Sequence, residues 1–529
     1  MRKSIIIGAG TGGMAAGIHG QASGYDTRIF EMHTVPGGQR CAWKRKGYAF
    51  DGRIHRLFGR SPGTRPNGLW GELGAMPRDL VPTRECASVL SPRGVLRRDF
   101  WDLAELEAHL KELPPGDAAV IDGYIRGIKG CAKSALRGDA ISGTAADRIK
   151  VPPRMLPAAR RLRLDMQRFA ARLSDPLLRR AFPLLAYSIT DMPFIMLHLS
   201  KRAYGRQGDI AWPVGGSLES ARSMERRCLD LGGAVHYRSK AERMLTAGNR
   251  AVGVRPEDGS DHRADVVISN ADGRKTILEM LVGRFIDQRV PAWCEAVDDQ
   301  TPRAVRVFLG AGRGLSVGPS AMVMPLDKPV AIAGRSADSP GLQRYGFDPS
   351  MAPEGKGVIK VELGSSSPCW DKLAKGGERY QEEKRKVADT VIGILDASRF
   401  PRPSEQVEVI DVPALLTWER YMGGTHGFQN LPAKKQGFSA AFFGKGCATL
   451  PGPGDFCPVG VWATMGGALL LNALSGKKAI ERICRKDGKR FASTAGHLPS
   501  GPTTIPAPRS NDAWFEQRLS NERGERWPR

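Results

Sequence analysis

Gly8, Gly10 and Gly13, in the stretch IIIGAGTGG near the start of the chain, and the acid Glu31 further on are residue types that together can hold a dinucleotide. Each has a separate task. Gly8 makes a tight turn, Gly10 lets a pyrophosphate come close to the backbone, and Gly13 lets a helix pack closely on a strand. A helix that starts at such a turn points unpaired N–H groups and the positive end of its dipole at the phosphates. Glu31 can accept hydrogen bonds from a ribose 2′-hydroxyl and repels a 2′-phosphate, which favours FAD or NAD over NADP. A second pair, Gly37-Gly38 in EMHTVPGGQR, lets another loop pass close to the pyrophosphate, as a long extended cofactor requires. An ordinary Pro36-Gly37 turn is the alternative for that pair. Gly12, Met32, Gln39 and Arg40 complete this candidate cofactor-binding set.

The elements that must position these residues are legible around them. Ser4–Ile7 reads as a short β-branched strand buried on both faces of a parallel sheet. Thr11–Ala22 reads as a helix stopped by Gly24. Thr27–Phe30 reads as a second strand with Glu31 at its carboxyl end. Residues 212–245 read as a turn, a long helix ending at Gly232-Gly233 and a strand, and 249–272 as a hairpin and a strand. The fold class is α/β, with a doubly wound, Rossmann-like domain.

The stretch EMHTVPGGQRCAWKRKGYAFDGRIHRLFG, an acid followed by Gly-Gly and then Gly-Tyr-x-Phe-Asp, resembles the opening of the phytoene desaturase-like flavoproteins. That group includes carotenoid desaturases, carotenoid isomerases and retinol saturase. DFCPVGVWATMGGALLLNALSGKKAIERIC (455–484) resembles the same family's closing segment, which passes beneath the flavin. The resemblance covers roughly residues 1–60, 205–285 and 410–492. It implies FAD as cofactor, with Gly460, Gly467 and Ala468 against it and the Ala241 backbone on the adenine side. One departure stands out: many flavoproteins have an acid just after the first glycine of the closing segment, and here that residue is Val461. By the family's register His55 lies near the flavin, and Glu419, Tyr421 and His426 occupy a loop leading back to it. His55 and Glu419 are thus the candidate catalytic acid–base residues; a structural hydrogen-bonding role is the alternative for each.

Composition narrows the rest. A chain of 529 residues exceeds what one core supports, so two or three domains are expected. The plan is a discontinuous FAD-binding domain from 1–75, 208–285 and 441–492, a largely helical insertion at 76–207, and a substrate domain at 286–440. The Ser-, Pro- and Gly-rich tail 493–529 is expected to be disordered or extended. Nine scattered cysteines without a Cys-x-x-Cys pair, and histidines without His-x-x-x-His spacing, predict no metal. A net charge of +24 calls for an anionic partner. No nucleic-acid recognition motif is present. Arginines mixed with Leu, Met and Phe over 154–206 instead suit a bilayer interface, or else a helix face packed on the protein's own core. A signal peptide cut after the first strand would destroy the glycine turn, so a cytoplasmic location, with peripheral contact to the cytoplasmic face of the membrane, is expected.

The resemblance implies a hydride transfer between flavin and carbon–carbon bonds of a hydrophobic isoprenoid or polyene small molecule, as desaturase, saturase or isomerase. An amine-oxidase-like flavoenzyme is a second reading. A non-catalytic prenyl-lipid carrier, as in the Rab GDP-dissociation inhibitors of the same architecture, is a third. The oligomeric state is not encoded in any feature of the sequence.

Overall fold

The computed structural model describes residues 1–52, 56–76, 79–91, 96–112, 115–135, 166–186, 210–286, 303–316, 319–374, 377–398, 400, 402–424, 452–463 and 469–494. A five-stranded, all-parallel sheet organises the cofactor side of the molecule. Its strands are β1 (Lys3–Ile7), β2 (Asp26–Phe30), β3 (Ala234–His236), β4 (Val266–Ser269) and β5 (Phe456–Pro458), in the spatial order β3-β2-β1-β4-β5. The strand order runs outward from β1 in both directions. Winding therefore reverses between β1 and β4, where an open parallel sheet leaves a crevice at its carboxyl end.

Burial on both faces explains the unbroken isoleucine run of β1. Ile6 packs with Ile18, Ile29 and Ile268 under helix α1 (Thr11–Ala22). Ile5 and Ile7 pack on the other face with Phe30, Met244 and Val267, beneath a small antiparallel sheet of Ala241–Ala247, Arg250–Pro256 and His262–Arg263. Helix α1 carries Gly12, Gly13, Gly17 and Gly20, and each glycine in a helix interior is about 1 kcal/mol worse than alanine. Close approach is what these positions require. A Cβ on Gly17 would stand 2.8 Å from Ile29 Cδ1, and one on Gly13 only 2.1 Å from the Gly8 carbonyl oxygen. Helix α2 (Gly216–Asp230) packs beside α1. It begins where Asp51 accepts the Ser217 N–H at 2.6 Å and the Ser217 hydroxyl at 2.7 Å. Helix α3 (Leu469–Lys486) lies on α1 so tightly that a Cβ on Gly476 would come within 2.3 Å of the Gly12 carbonyl oxygen.

The larger mixed α/β region is built on a seven-stranded sheet. Its order is 407–411, 303–312, 356–365, 341–344, 321–323, 85–90 and 96–100, antiparallel except where 321–323 meets 85–90. One face is covered by helices Ser367–Ala374 and Gly377–Asp396 through Trp370, Val387 and Val391. On the other face Phe308 and Val358 pack with Tyr48 and Phe50 of the hairpin 42–51. Segment 76–207 contributes helices Leu103–Lys111 and Ala118–Ala135. It also supplies Glu85–Leu90 and Leu96–Phe100 to this sheet, two strands that the reading of a largely helical insertion did not contain. Their pairing partner, Ala321–Val323, is far away in sequence, and no local pattern announces it.

The last described residues are tied back onto the helix Arg65–Glu72. Ser493 and Thr494, the first residues of the expected tail, donate to the Glu72 carboxylate (2.9 Å) and to the Glu72 carbonyl respectively. The rest of the tail lies outside the described residues. Beneath this strap His19, 0 % exposed, sits 3.6 Å from the Glu72 carboxylate and against Phe491, while Lys477 donates to both Glu72 oxygens. Burial holds the imidazole down to about 4, Glu72 opposing and Lys477 reinforcing that shift. Folded His19 therefore stays neutral to about pH 4, whereas unfolded it protonates near 6.5. Its contribution is present above about pH 6.5 and lost as pH falls toward 4. Between pH 7 and 4.5 the wild type is expected to lose about 2–3 kcal/mol more unfolding free energy than His19→Leu, read by urea titration. Parallel pH profiles would contradict this assignment.

Candidate functional site

The site is the crevice above β1 and β4. Gly8 turns the chain with φ +92°, and its N–H donates to the Phe30 carbonyl at 2.8 Å. Helix α1 then starts from Gly10 with no side-chain cap and no acid in its first turn. Its first N–H groups have no intrahelical partner and carry the positive end of the dipole. The second glycine loop is joined to this turn backbone to backbone. Gly37 donates its N–H to the Ala9 carbonyl at 2.9 Å, and Gly10 and Gly37 form a parallel bridge. A Cβ on Gly37 (φ +120°) would stand 2.4 Å from the Arg40 carbonyl oxygen. The Gly37-Gly38 pair is part of the first turn's wall, not an isolated turn.

Glu31 closes the β2 side. It is 6 % exposed and accepts the Ala9 N–H at 2.7 Å and the His33 N–H at 2.9 Å, one on each carboxylate oxygen. Burial raises its carboxyl above the usual range, and these N–H groups pull it back. Each oxygen retains lone-pair capacity for a ribose hydroxyl; a phosphate brought beside it would add like charge in a poorly solvated place. Arg40 lies 1 % exposed along α2, donating to Ser220 Oγ at 3.0 Å and contacting Met224 Sδ at 3.1 Å. Among the described residues its Nε has no partner, and burial pushes the guanidinium down to about 10.

The residue that the motifs did not single out is Asn270, immediately beyond β4. Its side chain wedges between the glycine turn and the closing segment. A Cβ on Gly10 would meet Asn270 Nδ2 at 2.4 Å, and Cβ atoms on Gly12 and Gly460 would meet its Oδ1 at 2.7 and 2.2 Å. Asn270 thus occupies the Cβ direction of Gly10, a packing requirement for glycine in addition to the pyrophosphate approach expected from the sequence. The signal for Asn270 was its place in VVISNAD, at the end of a strand that pairs with β1. On the far side Gly460 (φ +80°) donates its N–H to Ser475 Oγ at 2.8 Å.

These parts enclose about 830 Å³ of space, some of it open to solvent. Its walls include Gly10, Gly12, Gly37, Gly38, Gln39 and Arg40 from the two loops, and Asn270, Ala271 and Asp272 after β4. Met422, Gly424, Val461, Trp462, Leu469 and Asn472 complete them. Of the other expected residues, Met32 stands beside Gly423, whose Cβ would lie 2.8 Å from Met32 Sδ. Glu419 lies in the helix Leu415–Met422, one turn before the cleft-lining Met422. Ala241 is buried in the small antiparallel sheet and does not line the cleft; nearby Ser239 donates its N–H to the Glu31 carbonyl at 2.9 Å. His55, His426, Gly467 and Ala468 lie outside the described residues. The unpaired N–H groups, the Glu31 lone pairs and the lone Arg40 Nε fit an extended dinucleotide.

Residues 6–73 match the NAD(P)-binding Rossmann-like domain. Over 311 residues, 56 % of this chain, the sequence is 28 % identical to the lycopene-forming phytoene desaturase of Pseudescherichia vulneris, covering 61 % of that protein. It is 24 % identical to the chloroplastic prolycopene isomerase of Arabidopsis thaliana over 457 residues, 80 % of this chain and 74 % of that one. The chain belongs to the FAD-binding oxidoreductase superfamily. An oxidoreductase from Methanosarcina mazei shares the superfamily fold with it at TM-score 0.56 and 17 % identity, over 90 % of this chain and all of that one. Within this fold the glycines of the turn differ in what opposes them. Gly13→Ala meets the Gly8 backbone, Gly12→Ala meets the Gly460 N–H at 2.8 Å, and Gly10→Ala meets only the tip of the Asn270 amide. Loss of unfolding free energy is expected in the order Gly13→Ala, Gly12→Ala, Gly10→Ala, with the first near 3 kcal/mol. Urea unfolding of ligand-free protein checks this, and a reversed order would contradict the packing.

Proposed function

We propose that this chain is an FAD-dependent oxidoreductase that acts on carbon–carbon bonds of a hydrophobic isoprenoid or polyene, as desaturase, saturase or isomerase. The observation that carries the reading is the meeting, in one crevice, of an uncapped helix start, two joined glycine loops and the buried Glu31 carboxylate. FAD, when bound, supplies a hydride acceptor or donor for such carbon chemistry. The chain's own residues do the rest. The turn and α1 bind the diphosphate, Glu31 orients the ribose, and Asn270 holds the turn against the closing segment. For proton movement the assigned candidates are His55 and Glu419. The substrate class follows from the relatives, a phytoene desaturase and prolycopene isomerases, whose names specify polyene chemistry.

An apolar substrate of this kind resides in lipid. The basic amphipathic stretch 154–206 is accordingly assigned to contact with the cytoplasmic face of a bilayer; its described part exposes Arg172, Arg179 and Arg180. No helix among the described residues is long and apolar enough to cross a membrane.

The test is incubation of the FAD-loaded protein with a long polyene in vesicles, in the presence of oxygen, a quinone or a reduced nicotinamide in turn. A changed number or geometry of conjugated double bonds, seen in the absorption spectrum of the extracted lipid, is expected with at least one of them. An unaltered polyene under all three, together with peroxide release from an amine, would replace this reading with the amine-oxidase one.

A further inference from the structure

The order of strand ends along the crevice fixes what an extended ligand meets in turn. Glu31 follows β2, the glycine turn follows β1, Asn270 to Asp272 follow β4, and Gly460 follows β5. A cofactor with its ribose at Glu31 and its diphosphate at the turn must continue over the end of β4. At the β5 end the side chain after Gly460 is Val461, which offers no hydrogen-bond acceptor. Asp272 does. It lines the cleft, and its Oδ1 accepts the Lys275 N–H at 3.0 Å, capping the turn 273–275. Among the described residues no hydrogen bond to Oδ2 is formed. The segment that Asp272 opens packs Ile277 against Trp462 and Val461, which fixes the carboxylate beside the closing turn.

We infer that Asp272 holds a hydroxyl of the cofactor's polyol chain, the stretch between the diphosphate and the flavin ring. The inference rests on the FAD reading above. Burial pushes this carboxyl up to about 6, opposed by the Lys275 and Arg274 N–H groups and by the charges of the same two side chains. At neutral pH it is therefore an ionised acceptor, poorly solvated and with Oδ2 open toward the cleft, and a ligand hydroxyl can donate to it. A phosphate there would be repelled, which assigns the neutral polyol and not the diphosphate to this position.

The experiment titrates ligand-free protein with FAD and, separately, with ADP, which lacks the polyol and the flavin. Wild type is compared with Asp272→Asn and Asp272→Ser, both of which keep an oxygen able to cap the turn. FAD affinity is expected to fall about ten-fold or more in both variants, with ADP affinity unchanged within about two-fold. Unchanged FAD affinity overturns the inference. So does a parallel loss for FAD and ADP, because the carboxylate would then act on the half of the site they share. A wild type that takes up no FAD but binds ADP refutes the FAD reading itself, a result distinct from either of these.

Discussion

The backbone of Ala9 is the point to which the crevice is referenced. Its N–H is held by the Glu31 carboxylate at the end of β2, and its carbonyl accepts the Gly37 N–H of the second glycine loop. Two strand ends and a loop are thus located by one residue with no reactive side chain. The consequence is a wall made of backbone, with φ beyond +90° at both Gly8 and Gly37. Side chains would fill this wall, and a polyanion needs it bare. Buried hydrogen bonds to a charged acceptor such as Glu31 are among the stronger ones a protein makes, which suits a group that must hold a shape before any ligand arrives.

The rest of the molecule serves that wall from outside. Gly476 brings α3 against α1, and α3 carries Ser475, which takes the Gly460 N–H and so sets the far edge of the cleft. The motif Gly-Tyr-x-Phe-Asp after the second loop proves to be a connector. Tyr48 donates to Glu408 at 2.7 Å and covers Gly310 of the seven-stranded sheet, while Asp51 caps the start of α2. Trp43 of the same hairpin donates to Asp411 at 2.9 Å. The hairpin thereby couples the crevice to the larger sheet.

What could be read from the sequence was local. The first strand, helix and second strand were placed at Ser4–Ile7, Thr11–Ala22 and Thr27–Phe30, and they stand at Lys3–Ile7, Thr11–Ala22 and Asp26–Phe30. Apolar runs and glycine punctuation write those elements within a few residues of themselves. Asn270 and Asp272 could not be read that way, since their importance comes from β4 lying beside β1, a pairing across most of the first half of the chain. The same holds for strands 85–90 and 96–100, and for the anchoring of Arg40, a residue the motif did single out, on Ser220 and Met224 of α2. Gly10 is the instructive case. The motif marks it correctly as glycine, and a residue of another strand end adds a packing requirement for it.

The central claim is that this backbone wall seats one extended flavin dinucleotide. Calorimetric titration of the ligand-free chain with FAD, repeated in the presence of NAD and of NADP, tests it most directly. The account predicts one FAD per chain, with no displacement by NADP, whose 2′-phosphate would face Glu31. Saturation by NADP in place of FAD, or no uptake of FAD at all, would contradict it.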